Sequence, residues 1–446
     1  MNEKIMHIGL DDTDSTRKGC TTYVAALLVE KLQHLGAEFI DYPNLIRLNP
    51  NVPWKTRGNG ALCLRIRYNV SIEDKIKETV ISTVEEHADL DSRGTDPGIV
   101  FFGKARIPQK VKIFAKNAIT GVVSLKEATG LLAKFGAEAV GFKNGRGIIG
   151  GLASVGETLQ GDHTYEILAY RAPENLGLKR RVDEDSIFEM DEATAPYTFN
   201  NVDIEKRRVI ITPRVPDPIL FGIRGETPEI VKKAFGMVKP LEHVERWVIF
   251  RTNQGTDAHL KRAEKLSQIK PYNPVIVRGV VSEDPRIVPR RHVIFSIKDD
   301  CAEVDCAAYE PTGALRRIAR ELIVADKVEV YGGVRAASQN RPLTINLEKL
   351  RVLKLGRKNV YHNPTCPNCG KRLKSMGRNQ GFRCEKCGSR FVSLGKVATE
   401  VMRGIRRGLY ITSTRSQRHL TKPFARYGRE KHRVGVEELI DGWHFP

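Results

Sequence analysis

The sequence predicts a multidomain protein of mixed α/β and α+β architecture, and three observations carry that expectation. The chain is 446 residues long, which is too long for one hydrophobic core and enough for about three or four domains. Strand and helix patterns alternate through about residue 195, as in an α/β domain. Between 275 and 347 the order becomes strand, strand, strand, helix, strand, strand, which is that of a five-stranded OB-fold barrel.

The first strand comes from the apolar run Ile5, Met6, Ile8 and Leu10. Asp11, Asp12 and Asp14 follow directly, then Ser15, Thr16, Lys18, Gly19, Thr21 and Thr22. An apolar helix is predicted from about Tyr23 to Leu35, closed by Gly36. In open α/β sheets ligands gather at the carboxyl ends of strands, and helix N-termini favour anions. Capping a helix needs one side chain. Three carboxylates in four positions repel one another without a cation, which points to Mg²⁺ held by Asp11, Asp12 and Asp14 beside phosphates.

A strand over Phe39–Leu48 runs into a basic loop, in which Lys55, Arg57, Gly58 and Asn59 join Arg47 as candidates for phosphate contact. After a strand at Ala61–Tyr68, a helix is expected over Ser71–Ala88 with Ser71 as its cap. Asp96 sits in a Gly/Pro turn before another strand, and Ser124–Phe135 reads as a helix. The stretch GFKNGRGIIGG matches neither the dinucleotide fingerprint nor the Walker pattern. Its glycines allow close backbone approach, so Gly145 and Gly147 are candidates for nucleotide phosphate. Residues 179–201 read as a connection. A compact βαβ pattern then covers 207–251 and ends in a turn holding Asn253, Asp257 and His259, read as internally satisfied.

In the predicted barrel, Arg278 and Arg335 are candidates for RNA contact. Past it, Cys366 and Cys369 face Cys384 and Cys387 across a 14-residue spacing. Two such pairs place four thiolates around one Zn²⁺ in a closed, structural ribbon. Lys371, Arg378 and Arg383 make that ribbon a nucleic-acid module. From 351 to 446 there are 22 Lys and Arg against 6 Asp and Glu, which accounts for most of the net charge of +20. Such asymmetry is an electrostatic footprint for nucleic acid. Residues 396–446 read as a basic arm whose Arg418 and Lys422 hold phosphates while Tyr410, Phe424 and Tyr427 stack on unpaired bases. Part of the arm is expected to dock, because Val434–Trp443 is amphipathic.

No apolar run is long enough to span a bilayer, and the N-terminus does not begin a secretory signal. The expected setting is the cytoplasm, with neither a membrane nor an obligate protein partner. A non-catalytic single-strand-binding protein remains the alternative reading. It leaves the acidic N-terminal cluster without a use.

The ordered set GLDDTDS, LIRLNP, TRGNGA, GTDPG, GRGIIGG and NQGTDAH, followed by the barrel and ribbon patterns, closely resembles the archaeal tRNA(Ile) 2-agmatinylcytidine synthetase family over nearly the whole chain. The resemblance implies an ATP-dependent enzyme that activates the C2 carbonyl of the wobble cytidine by phosphorylation and attaches agmatine, its partner being the CAU-anticodon isoleucine tRNA. It implies a kinase-like catalytic domain at 1–199 and a ferredoxin-like domain at 200–270. An OB-fold at 271–356, a zinc ribbon at 357–395 and the arm at 396–446 complete the division. Catalysis is implied for Asp11, Asp12 and Asp14. The self-phosphorylated threonine maps onto Thr21, with Thr22 as the alternative. Agmatine carries two positive charges, and Asp96 is the candidate carboxylate for it.

Overall fold

The computed structural model describes residues 3–214, 216–339, 341–432 and 438–446. Strand β1 (Glu3–Asp11) alternates strictly. Met6, Ile8 and Leu10 enter the core beneath helix α1 (Thr21–His34), while Gly9 and Asp11 meet the opposite layer. The strand predicted over Phe39–Leu48 is broken. Glu38–Phe39 and β2 (Asn44–Arg47) are separate, because Pro43 has no N–H for a ladder and buried Asp41 turns to Asn44 and Arg251.

Strand β3 (Gly60–Asn69) pairs with both β1 and β2. Helix α2 (Glu73–His87) starts later than expected. Asn69, not Ser71, takes the capping role, accepting the Ser71 N–H ahead of a short 3₁₀ turn. Strand β4 (Gly98–Phe102), helices α3 (Gln109–Thr120) and α4 (Leu125–Phe135), and strand β5 (Glu138–Gly141) follow. Ser124 and Glu127 close a capping box on α4. The glycine-rich stretch forms the buried helix α5 (Ile148–Gly156).

Strand β6 (Thr164–Arg171) leads to the segment expected as a connection, where the structure has helix α6 (Glu184–Thr194). Asp183 caps it through the Asp185 and Ser186 N–H groups. Only four of its residues are buried, so the apolar period was too sparse to read. Strands β7 (Thr198–Phe199) and β8 (Ile219–Gly225), helix α7 (Pro228–Met237) and strand β9 (Val244–Thr252) complete this region.

These strands form one sheet in the order β5-β4-β1-β3-β2-β9-β6-β8-β7. Its two halves meet at a short parallel seam, Asn44 opposite Arg251 and Leu45 opposite Thr252. The expected βαβ unit is β8-α7-β9, with β6 inserted antiparallel between its strands. A boundary at 200 therefore divides a continuous sheet. One core lies under α1 and α2 and runs on to α6 and α7, while α3, α4 and α5 cover the opposite face.

The barrel region holds β10 (Lys261–Arg262), β11 (Pro274–Val281), β12 (His292–Lys298), β13 (Glu303–Ala308), α8 (Ala314–Arg320), β14 (Lys327–Arg335) and β15 (Thr344–Lys354). Its ladder runs β11-β14-β15-β13-β12 and closes from β12 back onto β11. The polar turn before it is held by neighbouring elements. Asn253 pairs with the backbone of Arg47, Asp257 accepts the Lys422 N–H, and His259 meets Glu348 of β15 at 3.0 Å.

The C-terminal stretch is a strap across the molecule, not a free arm. Residues 408–411 add to β15, and 444–445 add to β9. Fully buried Arg426 is clamped between Asp162 and Glu226. Trp443 packs on Phe39 and Tyr42, with ring centroids 5.5 and 6.0 Å away. Residues 434–437 of the amphipathic stretch lie outside the described residues. Among the described residues no helix is long and apolar enough to cross a membrane.

Candidate active site at the carboxyl end of the first strand

A cavity of about 450 Å³ opens where β1 ends. Its position follows from how α5 meets β1. A Cβ at Gly150 would lie 1.8 Å from Asp11 Oδ2, and one at Gly98 would lie 2.0 Å from the Ile148 nitrogen. Only glycine lets the helix come close enough to cradle the Asp11 carboxylate. Burial, then the neighbouring Asp12 and Asp14 charges, pushes the Asp11 carboxyl well above the usual range.

Asp12 has φ of 62° and turns its carboxylate to Arg146, which donates from Nη2 at 2.7 Å and from Nε at 3.2 Å. Burial outweighs that guanidinium and pushes Asp12 up to about 6. Asp14 accepts from Arg57 Nε at 2.5 Å, and Arg57 Nη1 also reaches Asp217 at 3.4 Å. Repulsion within the aspartate cluster is thus relieved by arginines. The group of at least three His, Cys, Asp or Glu ligand atoms found close together among the described residues is the cysteine set, not the aspartates. Among the described residues no three-carboxylate cage for Mg²⁺ is preformed. The donor set fits instead a cation that keeps most of its shell of water and phosphate and takes one or two carboxylates.

Thr21 lies at the start of α1, lines the cavity, and accepts a hydrogen bond from Thr13 at 3.0 Å. Thr22 lines it too. Opposite, Lys55, Gly58 and Asn59 lie on the cavity wall with Arg47. Arg224 donates to Glu166 at 2.9 Å, and Arg47 lies 4.0 Å from the same carboxylate. Burial lowers the Arg47 pKa to about 10, with Glu166 opposing. This end is basic, since Arg47, Arg224 and Lys55 line it and Glu166, which faces the two arginines, is its one carboxylate among the described residues. Around Asp11 the balance reverses, with Asp11, Asp12, Asp14 and Asp217 set against Arg57, Arg146 and, behind Asp217, Arg180 at 2.8 Å.

Three expected sites are placed differently. The Gly145 and Gly147 N–H groups donate to the Phe142 and Asp96 carbonyls, and Gly147 is packed on the ends of β1 and β4, so neither amide faces the cavity. Asp96 is buried outside the cavity, taking the Asn144 amide and lying 3.8 Å from Arg146. Arg418 and Lys422 turn inward, Arg418 to Asn51 and Glu348, Lys422 to Glu430 and Asp162. Their charges hold the strap to the body. Arg335 is half-buried and donates to Thr344, whereas Arg278, Lys371, Arg378 and Arg383 are exposed.

The residues missed from sequence are Arg146, Glu166, Asp217, Arg224 and His419. Arg146 stands inside a motif singled out for its glycines, and Glu166 is the one carboxylate in the mostly apolar strand TYEILAYR, which ends at Arg171. Nothing local marks His419, which reaches the cavity from the strap.

In the ribbon, the four cysteine sulfurs lie within 4.8 Å of one another. Cys366 to Cys387 and Cys369 to Cys384 are each 3.5 Å apart. A tetrahedral Zn²⁺ with bonds of about 2.3 Å fits this donor set. Leu373 and Phe382 are the other buried apolar members of that small core.

A charged cavity on a large α/β sheet, joined to a closed barrel and a Cys₄ ribbon, is the organisation of a phosphate-handling enzyme with nucleic-acid-binding modules. Three family models match, described as the TiaS TCKD domain over residues 7–70, the TiaS FLD domain over 145–259 and the TiaS C-terminal zinc ribbon domain over 363–405. The isoleucine-tRNA 2-agmatinylcytidine synthetase TiaS of Methanocaldococcus jannaschii is 44% identical over 94% of this chain and 98% of its own length. That of Pyrococcus horikoshii is 43% identical over 94% and 96%. A crystal structure described as TiaS in complex with its isoleucine tRNA and ATP superimposes with a TM-score of 0.86 at 39% identity, covering 98% of this chain and 99% of that one. Another, of TiaS with the same tRNA, AMPCPP and agmatine, gives 0.84 at 37% identity with the same coverage. The chain belongs to the isoleucine-tRNA 2-agmatinylcytidine synthetase family.

Proposed function

We propose that the chain is an ATP-dependent synthetase that attaches agmatine to the wobble cytidine of the CAU-anticodon isoleucine tRNA. The observation that carries this reading is a single cavity with a basic end and an acidic end. A polyphosphate and a dication fit there side by side, as relatives described in complex with an isoleucine tRNA, ATP or its analogue, and agmatine would require. A non-catalytic single-strand-binding protein would have no use for such a cavity.

The oxygen on C2 of cytosine is a poor leaving group. Phosphoryl transfer forms a P–O bond to that oxygen while the bond to the nucleotide leaving group breaks. The primary amine of agmatine then attacks C2, the C2–O bond breaks, phosphate departs with the oxygen, and the amine proton is released. Such transfer depends on positioning and charge stabilisation more than on covalent help. Arg47, Lys55, Arg224 and His419 would hold polyphosphate, and Arg57 with Asn59 would close the loop over it. Asp11, Asp12 and Asp14 form the catalytic carboxylates, and Mg²⁺ arriving with the nucleotide would neutralise phosphate charge beside Asp11. Thr21 is the phosphoryl acceptor we assign on the chain itself. Asp217, which lines the cavity and is shared by Arg180 at 2.8 Å and Arg57 at 3.4 Å, is better placed for an agmatine cation than Asp96, which lies outside the cavity.

In this reading the kinase-like catalytic region is the half-sheet of β1 to β5 within 1–199, and the half-sheet of β6, β8 and β9 is its ferredoxin-like companion. The barrel and ribbon hold the tRNA so that the wobble base is turned out of its stack. A cytoplasmic setting suits that substrate. The test is ATP consumption by the full chain with the CAU-anticodon isoleucine tRNA and agmatine supplied singly and together. Consumption that requires this tRNA supports the reading, and consumption indifferent to it refutes the reading.

A further inference from the structure

On the outer face of the barrel, Arg278 of β11, Glu329 of β14 and Arg351 of β15 stand opposite one another across neighbouring strands. Arg262 of β10 reaches the same carboxylate. Arg262 Nη1 and Arg278 Nε donate to Glu329 Oε2 at 2.7 and 2.8 Å, and Arg351 Nε lies 3.7 Å from Oε1. Tyr331 donates its hydroxyl to Oε1 at 2.5 Å. Glu329 is buried, while the three arginine side chains remain 52%, 65% and 42% exposed. Burial acts to raise the Glu329 pKa, but Arg262, Tyr331 and Arg278 outweigh it and hold it down at about 2.

One carboxylate cannot neutralise three guanidinium groups, so this face keeps an excess of positive charge. Each guanidinium carries five N–H donors, and the shared carboxylate occupies few of them. The side chains are therefore oriented from behind and open in front. Beside them, Lys349 of β15, which stands opposite Tyr331, reaches Tyr427. Its hydroxyl takes a hydrogen bond from Lys349 at 3.0 Å, and its ring centroid is 6.3 Å from that of Phe424. Phe424 is 60% exposed and Tyr427 is 38% exposed. Arg426, buried between Asp162 and Glu226, pins the turn that carries both rings.

We propose that Arg262, Arg278 and Arg351 with Phe424 form an RNA platform, the arginine fan holding phosphodiester and the Phe424 ring, braced by Tyr427, an unpaired base. Guanidinium forks match phosphate oxygens, and fixed aromatics beside a basic track are how proteins hold single-stranded RNA. The platform lies on β11, β14 and β15, away from the second and third barrel strands, the face OB-folds use for oligonucleotides. It rests on the reading of the chain as a tRNA-modifying enzyme. Glu329 acts as a positioning residue for the fan.

Equilibrium binding of the CAU-anticodon isoleucine tRNA to the full chain over a salt series tests it. The double variant Arg278→Gln with Arg351→Gln should flatten the slope of log affinity against log salt by about 1.4 to 1.8, two contacts at roughly 0.7 to 0.9 each. Phe424→Ala should weaken binding about tenfold without changing the slope. Glu329→Gln separates this idea from a diffuse basic surface. It adds positive charge yet should weaken binding, because the forks lose their anchor. Tighter binding would overturn the platform. If that variant fails to fold, Arg278→Lys with Arg351→Lys keeps the charge and removes the forks, and weaker binding is again expected. Wild-type affinity and slope in the two double variants would also overturn it. The wobble nucleoside made by the wild-type chain is analysed alongside. Its absence defeats the underlying reading, while its presence with unaltered variants defeats the platform alone.

Discussion

Arg224 donates from Nη2 to Nδ1 of His419 at 2.9 Å. That bond joins strand β8 to the C-terminal strap and leaves the ring proton of the neutral imidazole on Nε2, the nitrogen nearest Gly58. Burial, then the charges of Arg47, Arg224 and Lys55, push the His419 pKa well below its ordinary value. The ring is therefore a neutral N–H donor among cations. Glu348 of β15 holds the strap from behind, lying 3.5 Å from Arg418 and accepting from Thr421 at 2.9 Å. The strap, braced by the barrel, thus completes a cavity that begins at residue 11.

His419→Ala should lower ATP affinity about tenfold or more, since a hydrogen bond to a charged acceptor contributes about 1.5–3 kcal/mol. Calorimetric titration of ATP without tRNA checks this. Unchanged affinity would mean that the strap only braces the cavity.

Arg426→Gln should destabilise the fold by about 3–5 kcal/mol, because it strands Asp162 and Glu226 without their buried partner. Urea unfolding measures it, and a loss under about 1 kcal/mol would show that the clamp is dispensable.

A pH dependence follows from Glu348. Burial acts to raise its pKa, but His259, Arg418 and Thr421 outweigh it and hold it at about 2, below the ordinary 4.5. A carboxylate depressed on folding contributes stability that is fully present above about pH 4.5 and lost as pH falls through about 2. The stability gap between the wild type and Glu348→Gln should therefore be full at neutral pH and narrow across that window. Denaturant midpoints for both proteins at neutral and acid pH decide it. A gap constant with pH would rule out the ionised clamp.

The parts of the chain that were legible in sequence are those written locally. Asp11, Asp12 and Asp14 sit at the end of one apolar run, the barrel has its period-two strands, and the ribbon has its cysteine spacing. What closes the cavity is written non-locally. Arg146, Glu166, Asp217, Arg224 and His419 come from five separate segments, and each alone looks like a surface or turn residue. The same limit applies to how the aspartate charges are met. Like charges called for a cation, and the fold brings Arg146 and Arg57 from elsewhere in the chain. Two basic residues of the strap are also decided non-locally, since Arg426 and Lys422 direct their charges to carboxylates of the protein body.

Cys369→Ser or Cys387→Ser should release Zn²⁺ and weaken tRNA binding while ATP binding persists, because the ribbon's core is small and separate from the cavity. Metal content and the two affinities check this together. Normal zinc and normal tRNA affinity would remove the Cys₄ assignment.

The central claim is that the cavity at the end of β1 performs the modification. The most direct measurement is the mass of the wobble nucleoside from the CAU-anticodon isoleucine tRNA incubated with ATP, agmatine and either the wild-type chain or Asp12→Asn. Asparagine tolerates the left-handed backbone at this position but cannot carry the carboxylate charge. The account predicts an agmatine-bearing cytidine with the wild type, only when ATP and agmatine are both present, and unmodified cytidine with a folded Asp12→Asn. Unmodified cytidine with the wild type, or near-normal modification by Asp12→Asn, would contradict it.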